Sequence, residues 1–256
     1  MKNDPVRSES LHDGAVLRLT LQAPPGNILD IPMIERLRAE LDRGGRAAGL
    51  KAILITGAGE NFSYGVSVQD HRAATAGAML RAFHGIFRAL AGLDRVVVST
   101  VRGACLGGGM ELACFAHRLF AHPRSTFGQS EIKLGLFAPV GSLILARRAG
   151  QAVADEACLT GRTYDGIEAR DLGLADETAD DPAAAAEEWI AREILPKSAA
   201  ALARAVRAAR LRYNAEFLHD LAIVERLYLD DLMRTEDARE GIEAFLAKRP
   251  PSWKDR

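Results

Sequence analysis

The feature that most constrains the fold is a pair of short, continuously apolar runs that each end at a glycine. They are KAILITG at residues 51–57 and RVVVSTVRG at residues 95–103. Strands that are covered on both faces lose the alternation of apolar and polar residues, as is typical of parallel sheets flanked by helices. An earlier run, AVLRLTL at residues 15–21, does alternate and predicts a half-buried strand. The sheet is therefore predicted to lie inside the protein.

Helical patterns separate the predicted strands. Between the first two, Asp30 can cap a helix that has Pro32 in its first turn, and apolar residues recur on one face until the GGR sequence at residues 44–46. A second apolar stripe at residues 79–90 has helical spacing and ends near Gly92. The series strand, helix, strand, helix indicates an α/β fold with right-handed crossovers, and the strand order stays open.

The last third of the chain is rich in alanine, leucine, arginine and glutamate, which favours helix throughout. Pro196 and Asn214 are predicted to mark helix boundaries, and Thr235 is a candidate cap for the last helix. We therefore expect a core of residues 1–190 followed by a C-terminal helical region of residues 191–256.

The composition argues against several classes of protein. Hydrophobic residues make up 48% and charged residues 26% of the chain, which is the balance of a folded globular protein. The formal net charge of −1 provides no overall field for nucleic acid or an acidic membrane surface, so we expect neither as a partner. The N-terminal MKNDPVRSES lacks an apolar core for a signal peptide, and every apolar run is shorter than a membrane span, so we expect a cytoplasmic protein. Three cysteines without ligand spacing predict neither a disulfide framework nor a metal site.

Two glycine-containing turns are candidates for the functional site. CLGGGMELAC at residues 105–114 follows the strand at 95–103 and leads into a helical pattern. Amides in the first turn of a helix lack internal partners and carry the positive end of the helix dipole, and glycine lets a ligand approach them. GENFSYGVSVQDH at residues 59–71 also follows a strand and places Gly65 in a turn. Amides from two such turns, aimed at one oxygen, make an oxyanion hole.

A third segment, STFGQSEIKLGLFAPVGS at residues 125–142, contains Glu131 between Gln129 and apolar residues. Simpler interpretations stay open for both features. The three glycines by themselves fit close packing equally well, and Glu131 by itself fits a solvent-exposed side chain.

Together, the three segments resemble the crotonase superfamily, the enoyl-CoA hydratase/isomerase family, from about residue 10 to the C-terminus. FSYG matches the family's Phe-x-x-Gly turn, LGGGMELA its Gly-Gly-Gly-x-Glu-Leu turn and FGQSEIKLG its Phe-Gly-Gln-Pro-Glu segment. The resemblance implies a crotonase-like spiral of ββα units whose C-terminal helical region completes the acyl-CoA site and contributes subunit contacts. It also implies a homotrimer or a dimer of trimers.

Residue by residue, the resemblance implies roles for six positions. The backbone N–H groups of Val66 and Gly108 would form the oxyanion hole, and the carboxyls of Glu111 and Glu131 would hold the attacking water. Phe245 and Lys248, which lie near the end of the last helix, would contact CoA. The charge of Lys248 fits a solvated helix end equally well. Coenzyme A is part of the substrate, so the resemblance implies no separate cofactor and no metal.

The substrate is a further inference from the resemblance. FSYGVSVQDH together with KLGLFAPVGS is similar to the branch that hydrates cyclohexa-1,5-diene-1-carbonyl-CoA to 6-hydroxycyclohex-1-ene-1-carbonyl-CoA in anaerobic benzoyl-CoA degradation. Phe137, Ala138 and Pro139 would then form a stiff wall beside a flat acyl group. A loop variant remote from the substrate is the simpler interpretation of the same segment. The alternatives are a straight-chain 2-enoyl-CoA hydratase, then an enoyl-CoA isomerase, and last a non-catalytic RNA-binding homologue. His71 and His84 are close enough in sequence to flank such a pocket, but the sequence assigns them no role.

Overall fold

The computed structural model describes residues 4–256 and contains two β-sheets. The larger has six strands in the order β1-β2-β3-β4-β6-β9, and the smaller has three in the order β5-β7-β8. The strands are β1 (Val6–Leu11), β2 (Val16–Leu21), β3 (Ala52–Gly57), β4 (Val96–Val101), β5 (Ala104–Leu106), β6 (Arg118–Ala121), β7 (Thr126–Gly128), β8 (Thr163–Asp165) and β9 (Glu177–Thr178). β1 and β2 form an antiparallel hairpin, and β2, β3, β4, β6 and β9 are parallel.

Nine α-helices connect and cover the sheets within the described residues. They are α1 (Ile31–Gly44), α2 (Ala76–Gly92), α3 (Gly108–Cys114), α4 (Pro139–Ala149), α5 (Gln151–Thr160), α6 (Gly166–Asp171), α7 (Pro182–Trp189), α8 (Ala199–Arg226) and α9 (Glu236–Leu246). Short 3₁₀ helices span Val68–His71, Glu131–Leu134 and Leu232–Arg234, and π-helical turns span Ile190–Ile194 and Leu227–Asp231.

The central strands are covered on both faces, as their unbroken apolar runs predicted. In β3, Ile53 and Ile55 belong to the main core, whereas Ala52 and Leu54 face a second, smaller core. That second core is closed by Ala186 of α7 and by residues of the π-helical turn that follows it. Because both faces of the sheet are buried, successive residues of β3 and β4 are mainly apolar and do not alternate with polar ones.

Most of the predicted helix ends are confirmed. The Asp30 carboxylate accepts a hydrogen bond from the Met33 N–H at the start of α1, and the Thr235 hydroxyl accepts one from the Ala238 N–H at the start of α9. Pro196 lies between the π-helical turn and α8. The boundary predicted at Asn214 is wrong, because α8 continues through it. The Asn214 side chain instead donates a hydrogen bond to the carbonyl of Ala91 at 3.0 Å.

The C-terminal helices pack against the part of the core that carries the segments at residues 59–71 and 125–142. α8 contacts α2 and α4, and α9 contacts the 3₁₀ helices Val68–His71 and Glu131–Leu134. Contact with the second of these is close, since a β-carbon on Gly241 would lie 2.0 Å from the Leu134 carbonyl oxygen. The division at residue 190 stays a prediction. No helix within residues 4–256 is long and apolar enough to cross a membrane.

Candidate active site

The two glycine-containing turns predicted from the sequence lie side by side. Ser63 N–H donates to the Ala104 carbonyl and Leu106 N–H donates to the Ser63 carbonyl, both at 3.0 Å, so the first turn pairs with β5. Gly65 has φ +97°, and a β-carbon there would lie 2.7 Å from the Leu106 carbonyl oxygen. Only glycine combines this backbone conformation with such a close approach, which brings the two turns into contact.

Ser63 holds the first turn in shape. Its hydroxyl accepts the Gly65 N–H at 3.0 Å and donates to the Asn27 carbonyl at 2.8 Å, and the side chain is fully buried. Asn27 is also buried, and its own amide donates to the carbonyls of Ala58 and Asn61. A buried and fully bonded network of this kind fixes the backbone that follows it.

The amides of Val66 and Gly108, which the resemblance implies as oxyanion donors, belong to neighbouring turns. Neither N–H donates to another group within residues 4–256. Gly108 is the first residue of α3, where helix geometry leaves the N–H without an internal partner. A β-carbon on Gly108 would lie 2.6 Å from Val66 Cγ2, so the two residues are immediate neighbours. Two N–H groups without partners therefore lie in adjacent turns, and their joint binding of one ligand oxygen stays a prediction.

Glu111 lies one turn into α3 and is 2% exposed. One oxygen of its carboxylate accepts the Gly141 N–H at 2.6 Å, in the first turn of α4, where the helix dipole favours negative charge. Burial raises the pKa of Glu111, and the amides of Gly141 and Val140 oppose this effect by stabilising the charged form. The carboxyl is thus fixed in position and is harder to ionise than in water.

Glu131 begins the 3₁₀ helix Glu131–Leu134 and is half-buried, so it is not the exposed side chain of the simpler interpretation. When the Gln129 amide is oriented with its nitrogen towards Glu131, it donates to the two carboxylate oxygens at 3.0 and 3.2 Å. Gly107 approaches from the other side, and a β-carbon there would lie 2.6 Å from Oε1. Burial raises the pKa of Glu131, and the negative charge of Glu111 raises it further.

The four residues line a single cavity of about 50 Å³. Val66 and Gly108 contribute the free amides, while Glu111 and Glu131 contribute the two carboxyls. Apolar side chains form most of the remaining wall, namely Val68, Met79, Leu80, Phe83, Leu134, Leu136, Phe137 and Pro139. The volume is enough to hold water between polar groups. The predicted wall residues Phe137 and Pro139 are therefore at the site.

The raised pKa of Glu131 has a consequence for stability. In the unfolded chain the carboxyl ionises near its ordinary pKa of 4.5, whereas the folded protein retains the proton to higher pH. The folded state binds more protons, so stability falls as pH rises between the two pKa values. We expect Glu131→Gln to raise Tm at about pH 8, by about 2–4 °C for each kcal/mol gained.

Thermal unfolding of both proteins across pH tests this expectation. The difference in Tm should shrink as pH falls and disappear near pH 4, where the carboxyl is protonated in both states. An equal Tm for the two proteins at about pH 8 would contradict a raised pKa for Glu131.

Two residues at the site were not assigned a role from the sequence. His71 lines the cavity, and its Nδ1 lies 2.8 Å from the hydroxyl of Tyr228, which is fully buried. Tyr228 comes from the π-helical turn Leu227–Asp231, and its ring meets Phe137 edge-on at 5.3 Å. The sequence had suggested that His71 could flank the pocket. It contained no signal for Tyr228, because π-helical turns have no recognisable pattern.

Three further residues named in the sequence analysis, Phe245, Lys248 and His84, do not line this cavity. Phe245 is 53% exposed near the end of α9, and Lys248 is an exposed residue just beyond it with φ +53°. Neither lines the cavity, so their predicted contacts with CoA stay a prediction. His84 is buried away from it and pairs with Glu225 at 2.7 Å. In the part of the chain that the structure describes, no cluster of three or more His, Cys, Asp and Glu side chains is suited to a metal ion.

Comparison with solved structures identifies the fold. The chain superimposes on an enoyl-CoA hydratase from Mycobacterium avium subsp. paratuberculosis K-10 with a TM-score of 0.85 and 24% identity, over 98% of this chain and 99% of that one. An enoyl-CoA hydratase/isomerase from Xanthobacter autotrophicus Py2 gives a TM-score of 0.82 at 26% identity, over 96% of this chain and 97% of that one. The predicted α/β crotonase fold is confirmed.

Sequence comparison then defines the family. The family model described as enoyl-CoA hydratase/isomerase matches residues 12–256. The chain is 43% identical over 244 residues to cyclohexa-1,5-dienecarbonyl-CoA hydratase of Thauera aromatica, which covers 95% of both chains. It is 32% identical over 250 residues to a probable enoyl-CoA hydratase of Bacillus subtilis (strain 168), covering 94% of this chain and 96% of that one. The chain belongs to the enoyl-CoA hydratase/isomerase family, and the prediction of a hydro-lyase is confirmed.

Proposed function

We propose that this enzyme adds water to cyclohexa-1,5-diene-1-carbonyl-CoA and forms 6-hydroxycyclohex-1-ene-1-carbonyl-CoA, as a step of anaerobic benzoyl-CoA degradation. One observation carries the chemistry: two free amides and two carboxyls with raised pKa values line the same cavity. The 43% identity to the Thauera aromatica hydratase supports the choice of substrate.

The amides act on the thioester. Val66 N–H and Gly108 N–H would donate to the thioester oxygen, which becomes negatively charged when the nucleophile adds to the β-carbon. Donors that are already in place before the reaction stabilise this charge without reorganising. The two amides would therefore stabilise the enolate more than the neutral thioester of the substrate.

The carboxyls act on water. Two carboxyls in a poorly hydrated cavity cannot both ionise easily, so the pair holds one proton near neutral pH. The ionised carboxylate takes a proton from water as the water oxygen attacks the β-carbon, and the protonated one gives its proton to carbon. We assign the protonated role to Glu131, because its pKa is raised both by burial and by the charge of Glu111.

For the cyclic diene this sequence is a 1,4-addition. Hydroxide bonds to the β-carbon, the electrons of the diene shift towards the carbonyl and the second double bond, and the proton arrives at the far end of the conjugated system. One water is consumed and no electrons are exchanged with a co-reactant. The proposed reaction therefore needs no cofactor, because coenzyme A is part of the substrate.

Incubation with a panel of acyl-CoA thioesters in ¹⁸O-labelled water tests the proposal. The cyclic diene should be converted with the highest kcat/KM, and one labelled oxygen should appear in the product. Preferential conversion of crotonyl-CoA would favour the straight-chain hydratase, which also has support from relatives named probable enoyl-CoA hydratase. A shifted double bond without the label would indicate an isomerase, and salt-dependent RNA binding without turnover would indicate the non-catalytic alternative.

The cytoplasmic location and the trimer or dimer of trimers stay predictions. Size-exclusion chromatography with light scattering tests the assembly.

A further inference from the structure

His71 is a polar group in a wall that is otherwise largely apolar. It ends the 3₁₀ helix Val68–His71, which directly follows the Val66 turn, and it lines the cavity together with both catalytic glutamates. Its neighbours in this wall include Met79, Leu80 and Phe83. The proposed mechanism does not use it.

The contact with Tyr228 bears on which nitrogen of His71 carries the proton. Tyr228 is fully buried, and its hydroxyl has one hydrogen-bond partner within residues 4–256, which is Nδ1 of His71 at 2.8 Å. A buried hydroxyl donates its hydrogen wherever an acceptor is available. With Tyr228 as the donor to Nδ1, the hydrogen of the neutral ring lies on Nε2.

The ring is neutral at physiological pH. Burial lowers the pKa of His71 to about 4. Burial also raises the pKa of the Tyr228 hydroxyl, and negative charge on the nearby carboxyl pair raises it further, so Tyr228 keeps its proton. Nε2 makes no hydrogen bond to another residue of the described chain. His71 thus brings to the cavity lining an uncharged ring whose Nε2 has no partner in the described chain.

An unpartnered donor discriminates between acyl groups. A saturated acyl chain offers this N–H no acceptor and also removes it from water, so binding such a chain costs desolvation free energy. A conjugated cyclic diene is different, because addition of hydroxide spreads negative charge from the thioester oxygen to the far end of the second double bond. A donor aimed at that end stabilises the charge, whereas the enolate of a mono-unsaturated acyl group has no charge there.

We propose that His71 is a specificity-determining residue that stabilises the far end of a conjugated acyl group through its Nε2–H, and that Tyr228 is the residue that positions it. This inference rests on the proposed hydratase function. It specifies that His71 recognises the far end of the second double bond of the substrate.

Variants of His71 and two substrates of the same ring size test the role. Cyclohex-1-ene-1-carbonyl-CoA has the same ring without the second double bond, so it separates conjugation from shape. His71→Leu should lower kcat/KM for the diene by about 10- to 100-fold, the range for loss of one buried donor. With the monoene and with crotonyl-CoA, kcat/KM should stay unchanged or rise. His71→Gln retains an N–H near the position of Nε2 and should restore part of the preference for the diene.

Tyr228→Phe tests the positioning role with almost no change in shape. It should shift the ratio of diene to monoene kcat/KM in the same direction as His71→Leu, but less. His219→Leu removes a histidine whose side chain is 76% exposed, and it serves as the control with an unchanged ratio.

The outcomes separate this inference from the proposed function. If wild-type protein hydrates the diene, and His71→Leu lowers kcat/KM equally for all three substrates, the specificity role is wrong and the hydratase function stands. Equal losses in His71→Leu and His71→Gln would likewise overturn the N–H assignment. If wild-type protein incorporates no labelled oxygen into any of the substrates, the proposed function itself is wrong.

Discussion

Replacing Glu111 with glutamine is expected to lower kcat for hydration by about a hundredfold to ten-thousandfold, the usual contribution of a general acid or base. Glutamine keeps an oxygen that can accept the Gly141 N–H, so the position of the side chain is preserved while its proton-transfer ability is lost. Stopped-flow or steady-state absorbance of the enoyl thioester measures kcat. Calorimetry with a saturated acyl-CoA, which cannot react, should show nearly unchanged affinity.

Glu40→Gln provides a matched control for Glu111. The Glu40 side chain is fully buried in α1 and pairs with Arg36 and Arg43, so the same chemical change is made at a carboxylate outside the cavity. The variant should lose stability, because its ion pairs are broken, and it should keep its kcat. A Glu111→Gln variant that retains kcat within a few-fold of wild type would show that Glu111 moves no proton in the reaction.

Gly65→Ala is expected to lower kcat by about a hundredfold to a thousandfold, which is the cost of losing one oxyanion donor. The added β-carbon would lie 2.7 Å from the Leu106 carbonyl oxygen and 3.3 Å from the Gly108 nitrogen. Since both neighbours belong to the second turn, the backbone must separate the amides of Val66 and Gly108. The φ of +97° adds strain for any residue that has a side chain.

Gly49→Ala separates the two effects of that substitution. Gly49 has φ +81°, and a β-carbon there would meet nothing within 4 Å. Both variants should lose stability through backbone strain, measured by thermal unfolding, but only Gly65→Ala should lose kcat. If Gly65→Ala folds and turns over at the wild-type rate, the Val66 amide takes no part in stabilising the enolate.

The architecture explains why the site tolerates two carboxyls with raised pKa values. Glu111 is fixed by the first turn of α4, and Glu131 is held between Gln129 and Gly107. α9 packs against the 3₁₀ helix that begins at Glu131, so the C-terminal region helps to fix the backbone that carries this glutamate. The packing of the surrounding fold therefore offsets the free-energy cost of keeping the two carboxyls out of water.

Local features of the sequence determined much of this protein. The unbroken apolar runs of β3 and β4 predicted a sheet with two covered faces. Asp30 and Thr235 predicted helix starts, because capping is a contact between residues only a few positions apart. The glycine-containing turns and the two glutamates were found because each motif is contiguous in the chain.

Only the tertiary structure decided what distant segments do together. Asn214 favours a helix boundary on propensity, yet its side chain finds a partner in Ala91 and the helix continues. Tyr228 lies 157 positions from His71 in the sequence, and nothing local to either residue indicates their hydrogen bond. The raised pKa values of Glu111 and Glu131 likewise depend on burial, which is a property of the packed chain. Short-range geometry is encoded residue by residue, whereas desolvation and long-range contacts exist only once the chain has folded.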